Sequence, residues 1–164
     1  MSLINEYFEY QSRFENKYGP NTVVLMEVGS FFEIYGIVNE TTKRGKIYEV
    51  ANCLNLSVSR KNSKTEPISI KNPLMAGFPN YSIKKWEEIL LKYNYTIIKI
   101  EQDSHGTKNP SRIVTEVLSP GLNLESNKCT NNIMSLIFEE YKDGKTNKNI
   151  LQLGLSIIDM TTGC

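Results

Sequence analysis

Strand and helix patterns alternate along residues 22–118 of this 164-residue chain, and this alternation is the feature that most constrains its fold. Before it, residues 2–18 carry apolar side chains at steps of three and four, which predicts an amphipathic helix. β-Branched, apolar and aromatic runs predict strands at 22–28, 31–35, 56–60, 95–101 and 112–118. Helices are predicted at 47–54 and 81–93, the latter with Ser82 as N-cap. We therefore expect an α/β fold with a mixed β-sheet flanked by helices.

Proline and glycine positions predict the breaks between these elements. Two prolines and a glycine in residues 73–79 predict an apolar turn. After residues 1–118, the first predicted domain, polar residues predict a linker at 119–131. Residues 132–164 then contain two apolar strands, 132–140 and 150–159, joined by a polar loop that predicts a hairpin. A lone hairpin is marginally stable, so this one either docks on the first domain or begins a second domain, and we favour the second reading.

Composition excludes several classes of protein. No apolar run approaches the roughly 18 residues that a membrane-spanning helix needs, and the N-terminus lacks the pattern of a secretory signal. Cys53, Cys129 and Cys164 are far apart, and His105 is the single histidine. Neither a disulfide framework nor a structural metal site is therefore expected. The net charge is +1, but residues 43–64 alone carry +5, which fits either a solvated loop or a contact with phosphates.

The segment Gly29–Tyr35 holds the candidate binding residues. Side chains alternate between the two faces of a strand, so Phe31 and Glu33 share one face while Phe32 and Ile34 share the other. If Phe32 and Ile34 fill the core, Phe31 is an exposed aromatic ring beside a carboxylate. Such a ring is suited to insertion between bases from the minor groove. The alternative is that both rings are buried and Glu33 lies at a strand edge.

Gly29–Tyr35 resembles the Gly-Asp-Phe-Tyr-Glu-Leu-Phe segment of MutS proteins, the DNA mismatch recognition ATPases, with Phe31-Phe32-Glu33 in the place of their Phe-x-Glu motif. Further segments resemble the family in the same order: Leu54–Lys61, Pro73–Pro79, Ile100–Gln102, Arg112–Leu122 and Gly154–Gly163. The sequences of Phe31–Gly36 and Asn72–Pro79 are similar to those of the MutS branch found in giant viruses and octocoral mitochondria. Ser30 differs, since the family usually has Asp there.

The resemblance implies a role for each residue of a DNA-binding site. Phe31 would stack on a mispaired base in the minor groove, and Glu33 would hydrogen-bond that base. Val28, Gly29 and Ser30 would line the groove wall. Arg60 and Lys61 match the family's basic pair beside the DNA backbone, where they would position the duplex without reading sequence. The partner implied is double-stranded DNA with mismatches or small loops.

The resemblance also implies parts that lie outside this chain. Residues 132–164 would be the start of an RNase H-like connector domain. No Gly-x-x-x-x-Gly-Lys-Ser/Thr loop is present, so we expect no catalytic site and no cofactor here. ATP and Mg²⁺ would be cofactors of the full-length protein, an ATPase and a homodimer by analogy. It would be cytoplasmic and nucleoid-associated, or the viral or organellar equivalent, with no membrane contact.

Two other functions are weighed against this one. Asp159 ends an apolar strand and is followed by Thr161-Thr162-Gly163. In this position it resembles the first acid of a nuclease metal site. Its partner acids would have to come from later strands. His105 is the only candidate imidazole base, in a polar loop without an evident nucleophile, and reads as a surface residue. The third possibility is a protein-interaction domain that uses Phe31 as its contact.

Overall fold

The structure is a computed structural model that describes residues 2–103, 110–122 and 132–159. Two compact units divide the chain, Met1–Pro120 and Gly121–Cys164. His105, most of the predicted linker and the residues after Asp159 lie outside the described residues. Among the described residues, no helix is long and apolar enough to cross a membrane.

The first unit is built around one mixed sheet. Its helices are α1 (Leu3–Tyr18), α2 (Ile47–Leu54) and α3 (Ile83–Lys92). Its strands are β1 (Thr22–Val28), β2 (Phe31–Val38), β3 (Lys43–Arg44), β4 (Ser59–Arg60), β5 (Leu74–Pro79), β6 (Thr96–Gln102) and β7 (Arg112–Leu118). The strand order is β4-β5-β2-β1-β6-β7, and β3 pairs with β2. β1 and β6 run parallel while the other pairs are antiparallel, which confirms the predicted mixed α/β fold.

Each face of the sheet is covered by helices. α1 packs on one face, where Tyr7 and Phe8 meet Met26, Tyr35 and Ile100. α2 and α3 cover the other face, together with side chains from four strands: Val23, Leu25, Phe32, Ile34, Ala76, Phe78 and Ile97. α2 comes so close to β2 at Gly36 that an added Cβ would lie 2.3 Å from Cγ2 of Ile47. The sheet is therefore buried on both sides along most of its length.

Residues 73–79 correct one sequence-based prediction, because Leu74–Pro79 form a strand and not a turn. β5 pairs antiparallel with β2 from Phe31 opposite Pro79 to Gly36 opposite Leu74. Proline cannot donate to a ladder and is tolerated at strand ends. Pro73 precedes the strand and Pro79 is its last residue, so neither interrupts it. The prolines mark the ends of the strand, and the prediction of a turn was wrong.

Two smaller differences concern local structure. The strand predicted at 56–60 is shortened to Ser59–Arg60. Ser82 occupies the N-cap position of α3 but makes no capping hydrogen bond to the helix backbone. Its hydroxyl instead donates to the Pro79 carbonyl at 2.7 Å and accepts from Nε1 of Trp86 at 3.1 Å. A 3-10 turn, Asn80–Ser82, leads into α3.

The second unit contains a two-stranded antiparallel hairpin. β8 (Asn132–Lys142) and β9 (Asn149–Asp159) pair from Asn132 opposite Asp159 to Lys142 opposite Asn149. The Asp143 carboxylate closes the loop by accepting from the Thr146 hydroxyl and from the backbone N–H groups of Lys145 and Thr146, and these hydrogen bonds lower its pKa. Apolar side chains of both strands are exposed, among them Ile137, Phe138, Leu151 and Leu153.

Candidate nucleic-acid interface

A tight turn joins β1 to β2 and sets the position of the candidate wedge. Val28 pairs with Phe31, so Gly29 and Ser30 are the two turn residues. Gly29 has φ +62°, a left-handed conformation that glycine adopts without a steric penalty. The Ser30 carbonyl accepts from the backbone N–H of Asn80 at 2.9 Å. The turn is thereby tied to the segment that follows β5.

Phe31 and Phe32 lie on opposite faces at the start of β2. Phe31 is 47% exposed, whereas Phe32 is 2% exposed and packs beside Phe78 and Ile34. Val28 and Pro79 are opposite Phe31 on the two neighbouring strands. The structure therefore has the alternation in which one ring fills the core and the other faces outward, and not the alternative with both rings buried.

The Glu33 side chain lies two residues from Phe31 on the same face, where it is only 14% exposed. Its Oε2 atom accepts from Nζ of Lys61 at 3.0 Å and from the hydroxyl of Tyr35. Nζ of Lys61 also donates to the Tyr35 hydroxyl at 2.8 Å. Glu33, Tyr35 and Lys61 thus form one connected polar cluster, which we call the Glu33 cluster.

Tyr35 is the member of the Glu33 cluster that the sequence analysis did not single out as a site residue. Its side chain is fully buried, and its ring meets Tyr7 edge to face at 5.0 Å. Burial, the hydrogen bond to Glu33 and the charge of Glu33 raise the Tyr35 pKa well above its ordinary value. Its hydroxyl therefore remains protonated at neutral pH and acts as a donor to Glu33.

Gly77 makes room for the Glu33 side chain on β5. The two residues are opposite each other in the β2–β5 pair. A Cβ at Gly77 would lie 2.7 Å from the Phe32 carbonyl oxygen and 3.3 Å from Cγ of Glu33. The missing side chain lets Glu33 lie across the neighbouring strand toward Lys61.

Most cations of the basic segment 43–64 already have partners within the chain. Lys43 pairs with Glu49 at 3.0 Å, and Lys46 pairs with Glu15 at 2.9 Å. The Arg60 guanidinium donates to the carbonyl oxygens of Lys64 and Glu66 at 2.5 and 2.8 Å, so it holds its own loop. The Arg44 guanidinium lies 4.6 Å from the centre of the Phe8 ring. Arg60 and Lys61 are adjacent in sequence but face different partners.

Glu27 is a buried carboxylate near the end of β1 that sequence reasoning did not identify. Its Oε2 atom accepts from the backbone N–H of Gln102 at 2.9 Å, and its Oε1 atom accepts from Nδ2 of Asn80 at 3.5 Å. The Gln102 side chain in turn donates to the Gly29 carbonyl at 3.4 Å. These bonds join β1, β6 and the segment after β5 beside the Gly29-Ser30 turn. The sequence signal for such a residue is an acidic side chain within an apolar strand, because a buried carboxylate needs hydrogen-bond partners.

Comparison with known proteins identifies the family of this chain. The model of MutS domain I matches residues 4–127, which is more than half of the chain. The chain belongs to the MutS family. It is 30% identical to a mutS homolog of Acanthamoeba polyphaga mimivirus over 99% of its own length. It is 24% identical to a mitochondrial mutS homolog of Sarcophyton glaucum over 82% of its length, and 26% identical to the DNA mismatch repair protein MutS of Streptococcus sanguinis over 88%.

This MutS chain spans 14 to 15% of the length of these relatives. The match to MutS domain I includes the whole sheet and both ends of the Gly29-Ser30 turn. Of the residues that the MutS resemblance singled out, Phe31, Glu33 and Lys61 lie together on the sheet face that also carries α1. Val28, Gly29 and Ser30 lie in and beside the turn, while Arg60 is directed at its loop.

A nuclease function would require a cluster of metal-binding side chains. Among residues 2–103, 110–122 and 132–159, no group of three His, Cys, Asp or Glu side chains is placed to hold a metal ion. Asp159 ends β9 opposite Asn132, in the second unit of this MutS chain. Cys53 is a free, partly buried thiol on α2.

Proposed function

We propose that this chain binds mismatched double-stranded DNA as the N-terminal module of a MutS-like mismatch repair ATPase. Phe31 inserts from the minor groove as a wedge, and Glu33 accepts a hydrogen bond from the mispaired base. The observation that carries the proposal is the half-exposed Phe31 ring beside the Glu33 carboxylate, at the tip of a hairpin in a chain that matches MutS domain I.

The local geometry supports a wedge because the backbone that carries the Phe31 ring is fixed in the sheet. Its strand is paired on both sides at Val28 and Pro79, and the next residue, Phe32, is anchored in the core. Insertion of an apolar side chain between base steps costs a few kcal/mol of unstacking. A mispaired step resists unstacking and bending less than a paired one, so the wedge favours the mismatch.

Val28, Gly29 and Ser30 line the groove wall in this proposal, since they flank the wedge in the turn. Glycine at position 29 permits a close approach of the backbone to the duplex. The ATP site, Mg²⁺ and the homodimer belong to parts of the full-length protein beyond this domain. No observation within the described residues favours a nuclease or a protein-docking role for Phe31.

The test is a competition binding assay at low salt with a G·T-mismatched duplex and its matched counterpart. It compares the wild type with Phe31→Ala and with Tyr93→Ala, a control that removes another exposed aromatic ring, at the end of α3. We expect the wild type and Tyr93→Ala to prefer the mismatch and Phe31→Ala to lose that preference. Equal binding of both duplexes by all three proteins would contradict the proposal. If none of them binds DNA, the chain alone is not a sufficient module, and the same comparison in a longer protein that carries it decides the role of Phe31.

A further inference from the structure

We propose that Lys61 and Tyr35 are positioning residues that occupy one oxygen of Glu33 and leave the other as the single acceptor offered to a base. This inference rests on the proposed function and specifies how Glu33 acts within it. It assigns Lys61 a role toward Glu33 in place of a contact with a DNA phosphate.

The two oxygens of Glu33 differ in their contacts. Oε2 accepts two hydrogen bonds, from Lys61 and from Tyr35. Oε1 accepts none from the part of the chain that the structure describes. The unpartnered polar atoms that are fully buried there belong to Glu87 and Arg112, so Oε1 of Glu33 is not sealed inside the protein. A carboxylate bound through one oxygen keeps a fixed orientation while the other oxygen remains open to a donor. The ligand group that fits Oε1 is therefore an N–H of a base.

The donors of Lys61 are used within the protein. An ammonium group has three N–H donors. Nζ of Lys61 contacts Oε2 of Glu33 at 3.0 Å, the Tyr35 hydroxyl at 2.8 Å and Sδ of Met75 at 3.8 Å. A phosphate contact would require Lys61 to give up at least one of these partners. Arg60, its neighbour, is likewise bonded to its own loop.

The Tyr35 hydroxyl completes the arrangement. It accepts from Lys61 and donates its single proton to Glu33, so its hydrogen-bonding capacity matches the two partners. The ring cannot move aside, because it is fully buried against Tyr7. The MutS segment that Gly29–Tyr35 resembles ends in Phe, so this hydroxyl is an addition in this chain. A carboxylate paired with an ammonium also meets less repulsion from the phosphates of a bound duplex.

The experiment measures the ratio of mismatched to matched affinity for Lys61→Met, Lys61→Arg and Tyr35→Phe, with melting temperatures to confirm folding. Lys64→Met is the matched control, since it removes a charge from an exposed position three residues away. We expect Lys61→Met and Tyr35→Phe to lower the ratio about three- to tenfold, the range for loss of one hydrogen bond. Lys61→Arg should retain part of the ratio, and Lys64→Met should leave it unchanged. In a Glu33→Ala background, Tyr35→Phe should have little further effect, because the carboxylate through which Tyr35 acts is absent.

The inference is overturned if Lys61→Met weakens both duplexes by the same factor and lowers the salt dependence of binding, because that pattern marks a phosphate contact. It is also overturned if Tyr35→Phe leaves the ratio unchanged. Its failure is separable from that of the proposed function. A wild-type preference that is lost with Phe31→Ala but kept with Lys61→Met and Tyr35→Phe rejects only the positioning role, whereas a wild type without preference rejects both.

Discussion

Phe31 and Phe32 are adjacent in β2, yet Phe31 exposes 47% of its surface and Phe32 exposes 2%. Replacement of each by Ala should therefore have different effects. We expect Phe32→Ala to lower the free energy of unfolding by about 3–5 kcal/mol, because it opens a cavity beside Phe78. Phe31→Ala should cost about 1 kcal/mol or less. Urea denaturation of both variants checks this, and similar losses of stability would show that the Phe31 ring is part of the core.

Gly77→Ala should destabilise the sheet at the Glu33 cluster. The added Cβ would lie 2.7 Å from the Phe32 carbonyl oxygen, which is backbone and cannot turn away. We expect a loss of about 1–3 kcal/mol, as for other overpacked sites. Gly121→Ala is the control, since a Cβ there meets nothing within 4 Å. Thermal denaturation of the two variants tests the point, and equal melting temperatures would contradict the close contact.

Lys99 is the counter-ion of three carboxylates on α3, β6 and β7. Nζ lies 2.9 Å from Glu116, 3.7 Å from Glu101 and 3.8 Å from the buried Glu87. Burial alone would lower the Lys99 pKa, but the hydrogen bond to Glu116 and the charges of Glu87, Glu116 and Glu101 raise it above its ordinary value. Its stabilising contribution is therefore complete below the ordinary lysine pKa of about 10.4 and is lost as the pH rises through the higher folded value.

Lys99→Met should cost about 1–3 kcal/mol near neutral pH, because Glu116 loses its hydrogen-bonded partner and the buried Glu87 is left with the exposed Lys84, at 3.3 Å. The deficit should shrink as the pH rises above about 10, since the wild type then loses the charge on Lys99 and with it these ion pairs. Denaturation at a series of pH values measures this. Lys92→Met, at an exposed position on α3, should show no such dependence, and a deficit of Lys99→Met that is constant with pH would argue against the ion-pair explanation.

The chain should bind DNA weakly and with a small salt dependence. Its net charge is +1, and the basic side chains Lys43, Arg44, Lys46, Arg60 and Lys61 already contact partners in the chain. Few phosphates would be neutralised, so we expect the slope of log affinity against log salt to be smaller than about 3. Anisotropy titrations at several salt concentrations test this, and nanomolar affinity at ~150 mM salt would contradict it.

Local patterns were sufficient to predict most of the first unit. β1, α2 and β7 have the predicted bounds, since each is a short run of one periodicity between clear breaks. The local pattern does not predict β5, because prolines usually interrupt a strand, whereas here they lie before the strand and at its end. The two-residue strand β3 was not predicted, since it exists only through pairing with the end of β2.

The candidate site was predicted only in part. The period of a strand placed Phe31 and Glu33 on one face and Phe32 in the core. It gave no information on the contact between Glu33 and Lys61, which are 28 residues apart and meet only because β4 pairs with β5 and β5 with β2. Nor did it assign a partner to the Tyr35 hydroxyl. Such contacts depend on strand order, which local patterns do not specify.

Gly36 and Gly77 have a further consequence for β2. A slip of one residue in strand pairing would exchange the faces of the two neighbouring phenylalanines, burying Phe31 and exposing Phe32. It would also place Tyr35 or Ile37 where Ile47 leaves no space even for a Cβ. If β5 slipped by one residue, Ala76 or Phe78 would take the place of Gly77. A side chain would then lie against the β2 backbone, where there is no space even for a Cβ. Gly36 and Gly77 therefore fix the pairing register of β2. Through the register they determine that Phe31, and not Phe32, is the exposed ring.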